Sequence, residues 1–161
     1  MRRIVGLLAV ALLAAAGGWL ARGDGRGPDV GLPGGEERVA RVVDGDTVVL
    51  SRAGRARLIG VDTPEVHGRV DCFGRHAAAF TERRLSGRRV GVQVGREPRD
   101  RYGRLLVYLT VDGRLFNADL VRDGYARTLA IPPNVRYAHR FARLAAEARR
   151  AGRGLWAACA S

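Results

Sequence analysis

A chain of 161 residues is the length of one ordinary domain and too short for two, and its 47% apolar content is enough for a single core. A net charge of +12 and a pI near 11.4 point to a polyanionic partner, and nucleic acid and anionic membrane both qualify. All 28 basic residues are Arg; most read as solvated surface, but a guanidinium fork also grips phosphate with paired donors and a charge that does not titrate away.

The first segment, Met1–Ala16, reads as a signal peptide: Arg2 and Arg3 precede an apolar run that ends in Ala14-Ala15-Ala16, an A-x-A cleavage pattern. An uncleaved anchor is the competing reading, but the apolar stretch is short for a membrane span and is broken by Gly17-Gly18. Residues 17–36 are rich in Gly, Pro and Arg without periodicity, which predicts a flexible linker. The folded domain is expected over residues 37–158.

Val39, Val42 and Val43 lead into Asp44-Gly45-Asp46, and Thr47–Leu50 follows, which predicts a hairpin with acidic groups at its tip. A turn at Arg52-Ala53-Gly54 returns the chain into a strand over Arg55–Ile59, where alternation sets Arg57 on the face opposite Leu58. Gly60 to Gly74 reads as a polar loop. Ala77, Phe80, Thr81 and Leu85 then recur at helical spacing until Gly87. Val90, Val92 and Val94 alternate as a strand, Gly95 to Gly103 reads as a charged loop, and Arg104–Thr110 is a further strand closed by a turn at Asp112-Gly113. Asn117 is placed to cap a short helix that Gly124 ends. A last helix, opened by Pro132-Pro133-Asn134 and closed by Gly152, carries Tyr137, Phe141, Leu144 and Ala148 as a core stripe. Five short strands with about three helices suit an α+β fold, a five-stranded Greek-key β-barrel of the oligonucleotide-binding (OB) type.

Four polar clusters fall at strand ends or in loops: Asp44-Gly45-Asp46-Thr47, Arg57, Asp62-Thr63-Pro64-Glu65, and Asp100-Arg101-Tyr102-Gly103-Arg104. Oxygen ligands from Asp46 and Asp62, with a backbone carbonyl nearby, suit a hard cation such as calcium, and no His/Cys spacing suggests zinc. His67 has no partner at metal spacing and reads as a solvated loop residue; His76 and His139 fall on helix surfaces.

Taken together and in this order, Asp44-Gly45-Asp46-Thr47, Arg57 with Leu58-Ile59-Gly60-Val61-Asp62-Thr63-Pro64-Glu65, and Asp100-Arg101-Tyr102-Gly103-Arg104 resemble the staphylococcal-type thermonucleases. The likeness runs from about Val39 to Trp156 and includes Leu120–Ala126 and Gly154-Leu155-Trp156. It implies a calcium-dependent nuclease acting on DNA and RNA with low sequence specificity, leaving 3′-phosphate and 5′-hydroxyl ends. It further implies calcium held by Asp46, Asp62 and the carbonyl of Thr63, with Asp44 close by. Glu65 takes the place of the base for the attacking water, Arg57 and Arg104 that of the phosphate clamp, and Tyr102 that of a hydroxyl reaching phosphate. Leu129 and Ile131 stand where the family's type member has tyrosines against the substrate's sugar and base, so affinity and base preference are expected to differ.

Two other functions fit parts of the sequence. A non-catalytic OB-fold module that binds nucleic acid would lack the carboxylates present here, and a membrane-bound basic protein would carry a helix with a large uncovered apolar face. No stable protein partner is implied, and a monomer is expected. Cys72 and Cys159 are the two cysteines, and an exported chain meets an oxidising compartment, so they are expected to pair as one disulfide.

Overall fold

The computed structural model describes residues 34–159; the expected signal peptide, and the linker as far as residue 33, lie outside them. The chain begins with a three-stranded meander: β1 (Glu36–Val42), β2 (Thr47–Leu50) and β3 (Gly54–Leu58), antiparallel in sequence order. Both turns fall where the sequence places them, and Gly54 takes a φ of +77°, a conformation that a side chain would strain. A short β4 (Gly60–Asp62) precedes α1 (Gly74–Leu85), β5 (Arg89–Arg99) and β6 (Leu105–Val111). β5 pairs with β1 on one edge and β6 on the other, and β6 then pairs in parallel with β3, closing a five-stranded barrel in the order β3-β2-β1-β5-β6. This is the α+β barrel expected of the OB type.

Alternation fills the interior. Val48, Leu50, Ala56, Leu58, Val90, Val92, Val94, Val107 and Leu109 point inward, all under one-tenth exposed. β7 (Arg114–Leu115) returns on β6 and leads into α2 (Phe116–Arg122), and β8 (Arg127–Leu129) pairs with β4 as a separate two-stranded ribbon. α3 (Ala138–Arg150) packs on α2 and β8 through buried Phe141 and Ala148, and α4 (Leu155–Ala158) ends the described chain. No helix among the described residues is long and apolar enough to cross a membrane.

Local expectations fail at four places. The supposed loop from Gly60 to Gly74 begins as β4, because its partner β8 lies far along the chain and no local periodicity announces a three-residue strand. The supposed loop from Gly95 to Gly103 is extended through Arg99 as the end of β5, where Arg99 pairs with Leu105 of β6 beyond a register shift and the charged side chains are exposed. Asn117 caps nothing: it lies inside α2, fully buried, its Oδ1 accepting the Leu109 N–H at 3.0 Å and its Nδ2 donating to the Ile59 and Val107 carbonyls at 3.0 and 3.3 Å. One amide thereby ties β6 to the residue after β3 at three buried backbone groups, sharing the Val107 carbonyl with the Ile59 N–H at 2.9 Å. The last helix opens at Ala138 rather than at the prolines, since the backbone before it is taken up in tight turns: the Asn134 N–H donates to the Ile131 carbonyl and the Ala138 N–H to the Val135 carbonyl, both at 3.0 Å.

Candidate active site

The acidic turn between β1 and β2 is held from three sides. Asp44 Oδ1 accepts the Asp46 N–H at 3.0 Å, and the Thr81 hydroxyl of α1 donates to the Gly45 carbonyl at 2.7 Å. A Cβ on Gly45 would lie 2.7 Å from the Thr63 side chain, so only glycine lets residue 63 come this close. The Asp46 carboxylate, 5% exposed, is consequently surrounded: Thr63 gives it N–H and hydroxyl bonds of 2.9 and 3.0 Å, and Thr47 a hydroxyl bond of 3.2 Å. Burial pushes its pKa up to about 6 against the opposing pull of Arg57 and the Thr63 bonds.

Arg57 joins this carboxylate to the next. Its Nη1 lies 2.7 Å from Asp46 Oδ2 and its Nη2 lies 3.0 Å from Asp62 Oδ1, so one planar guanidinium ties the hairpin tip to β4. Asp62 is half exposed. Asp46, Asp62 and Thr63 are thus brought together, offering oxygen donors only, the set that a hard divalent cation takes.

The second wall comes from the turn after β5. Asp100 Oδ1 accepts the Tyr102 and Arg104 N–H groups at 2.9 and 3.0 Å, while Oδ2 takes Arg104 Nε at 2.7 Å. Burial pushes the Asp100 carboxyl up, but the hydrogen bonds from Arg104 and Tyr102 outweigh it and hold the group below the ordinary carboxylate value. Tyr102 projects into solvent, 67% exposed, with the Arg101 and Arg104 guanidiniums 4.7 and 5.5 Å from its ring centre.

Barrel closure joins the walls. Arg57 registers with Leu106, and Arg104 lies two residues earlier, just before β6 begins; both side chains reach the same side of the β3–β6 seam. Both border a cavity of about 460 Å³ that Tyr102, Leu129 and Ile131 also line. Glu65 is not part of it: its exposed side chain belongs to a neighbouring cleft shared with Asp62 and Thr63. His67 is exposed, as expected, but its Nε2 is 3.1 Å from the Val43 carbonyl. Cys72 and Cys159 form the expected disulfide, with sulfurs 2.03 Å apart.

Sequence reasoning named three residues without finding their supporting roles. Asp100 has a local signature, an Asp followed at two and four residues by the N–H groups it accepts. Thr81 looks like part of a helix's core stripe, and nothing local marks its bond to Gly45. Asn134 bonds both the Glu97 N–H and carbonyl, at 3.0 and 2.9 Å, and so fastens the turn carrying Ile131 to β5; its partner is remote in sequence. Two guanidiniums and an exposed phenol around one cavity suit an anion with several oxygens, such as a phosphodiester.

Residues 55–158 match the family model described as staphylococcal nuclease homologue. The chain is 43% identical over 105 residues to a thermonuclease of Staphylococcus intermedius, covering 62% of each chain. It is 34% identical over 125 residues to a thermonuclease of Staphylococcus hyicus, covering 74% of each, and 36% identical over 134 residues to the endonuclease YhcR of Bacillus subtilis, of which it spans 11%.

Proposed function

Since the chain belongs to the staphylococcal nuclease homologue family, we propose that it is a nuclease, a calcium-dependent hydrolase of phosphodiester bonds in DNA and RNA with low sequence specificity. The observation that carries this reading is the pair Arg57 and Arg104 facing one cavity beside the Asp46–Asp62 carboxylates. Attack on a phosphodiester builds negative charge on its non-bridging oxygens, and two fixed guanidiniums stabilise that charge more than they stabilise the ground state. Asp100 aims Arg104, and the Asp46–Asp62 bridge aims Arg57, before substrate arrives.

Asp46, Asp62 and the Thr63 carbonyl would hold the calcium ion, with Asp44 shaping the turn behind them; when bound, the ion adds positive charge beside the phosphate. Glu65, exposed and next to these ligands in sequence, takes the proton of the attacking water. Tyr102 offers its hydroxyl to a phosphate oxygen. Leu129 and Ile131, 39% and 59% exposed, give the base and sugar an aliphatic surface to lie on, which favours little base preference.

The resemblance supports 3′-phosphate and 5′-hydroxyl products. The leader pattern over Met1–Ala16, with the disulfide, supports export of a domain spanning residues 37–158. Acid-soluble nucleotides should be released from single-stranded DNA, duplex DNA and RNA with calcium, and release should stop on adding a chelator. Cleavage that continues unchanged under chelation would overturn the calcium reading.

A further inference from the structure

Glu65 sits at the mouth of a segment with no core of its own. None of the residues from Val66 to Val70 is buried, and Val70 is 43% exposed. What closes the segment is a reciprocal pair: the Glu65 N–H donates to Asp71 Oδ2 at 3.2 Å, and the Asp71 N–H donates to the Glu65 carbonyl at 2.9 Å. The Asp71 carbonyl in turn accepts the Gly74 N–H at 3.1 Å, and a Cβ on Gly74 would collide with the Glu65 carbonyl oxygen. Glu65 is therefore positioned by the start of α1 through Asp71, not by packing within its own loop.

The next residue, Cys72, carries that restraint to the core. Its disulfide partner Cys159 follows α4, whose Leu155 is buried and donates its N–H to the Gly124 carbonyl at 2.9 Å. The bond faces a cleft of about 370 Å³ that Asp62, Thr63, Glu65 and Asp71 also line, and Cys72 is exposed, within reach of a small thiol. We propose that Asp71 is a positioning residue for Glu65 and that the Cys72–Cys159 bond holds Asp71 in register, making turnover responsive to thiol reductants. This rests on the base role proposed for Glu65. In the reduction, a dithiol attacks one sulfur as a thiolate, displaces the other cysteine as its thiolate, and closes to its own cyclic disulfide. Two protons complete the cysteine thiols.

The test compares the oxidised full chain with Asp71→Ala, Asp71→Asn and Cys72→Ser/Cys159→Ser. It measures kcat and KM on single-stranded DNA with calcium, and amide hydrogen exchange over residues 64–72 without calcium. A displacement of an ångström at a reacting group costs up to about a hundredfold, so Asp71→Ala should lower kcat by roughly ten- to a hundredfold with KM within about twofold. Asp71→Asn, which keeps an oxygen acceptor for the Glu65 N–H, should recover most of that turnover. Dithiothreitol should lower wild-type kcat, leave the double serine variant unmoved at its lower level, and speed exchange at residues 64–72 in the wild type. Unchanged kcat and unchanged protection in Asp71→Ala would overturn the proposal, as would an asparagine variant as slow as the alanine. Wild-type turnover in Glu65→Gln would overturn the base role instead; the exchange measurement, made without substrate, tells the two failures apart.

Discussion

Arg57 and Arg104 differ in what else depends on them. Arg104→Ala should lower turnover by at least ~10², since one proposed donor to a developing oxyanion is lost, and should leave the fold intact because Asp100, its carboxylate partner among the described residues, keeps the backbone N–H groups of residues 102 and 104. Arg57→Ala should lower turnover at least as much and also cost up to about 3 kcal/mol in calcium-free protein, because the buried Asp46 loses its counter-charge; steady-state kinetics and thermal melts check the two halves. Asp100 gives a pH signature. Its folded pKa lies below the unfolded value, so its stabilisation is present above the unfolded carboxylate pKa near 4 and is lost as pH falls through the folded one. Asp100→Asn should then melt lower than wild type at neutral pH, and the gap should shrink in melts taken toward pH 3. The residues proposed to meet the phosphate were legible from linear motifs because each is a chemically distinctive type beside a turn. Asp71 and Thr81 were not, since their partners are fixed by tertiary packing.

Among the elements, those with their own periodicity were legible: the meander, α1, the first half of β5, β6 and the stripe of α3 follow from alternation or helical spacing. The ribbon β4–β8 was not, because each strand is three residues long and is defined only by the other. Gly60 shows how that ribbon supports α3. It has a φ of +80°, and a Cβ there would meet the Phe141 ring at 2.6 Å. Gly60→Ala should therefore combine backbone strain with a clash under the last long helix, costing more than about 1 kcal/mol. A lowered melting temperature, with faster hydrogen exchange across residues 138–150, is the expected result, and an unchanged melt would show that α3 docks independently of this glycine.

At the scale of the whole molecule, the disulfide ties the loop before α1 to the end of the described chain across a separation of 87 residues. The chain-entropy model gives roughly 4–5 kcal/mol as an upper figure for a loop of that size. Reduced protein should unfold at lower denaturant concentration by no more than that equivalent, and mass measurement of non-reduced protein should show both thiols blocked to alkylation. A midpoint that does not move on reduction would mean that the C-terminal segment is held by Leu155 and its neighbours alone.

The parallel seam between β3 and β6 sets a timetable as well as a shape. Each pair in the β1-β2-β3 meander joins near neighbours, whereas Ala56 meets Leu105 only after the segment carrying α1 and β5 has been gathered in. Loop closure over such a distance costs entropy before any contact repays it, so the seam should form late, downhill of the folding barrier. Substitutions that weaken it, such as Leu106→Ala, should then speed unfolding and leave the refolding rate nearly unchanged, while weakening Val48 in the meander should slow refolding. The cavity between Arg57 and Arg104 straddles that seam, so the site would be the last part of the barrel to assemble and the first to open. A stopped-flow comparison of the two variants reads this ordering directly.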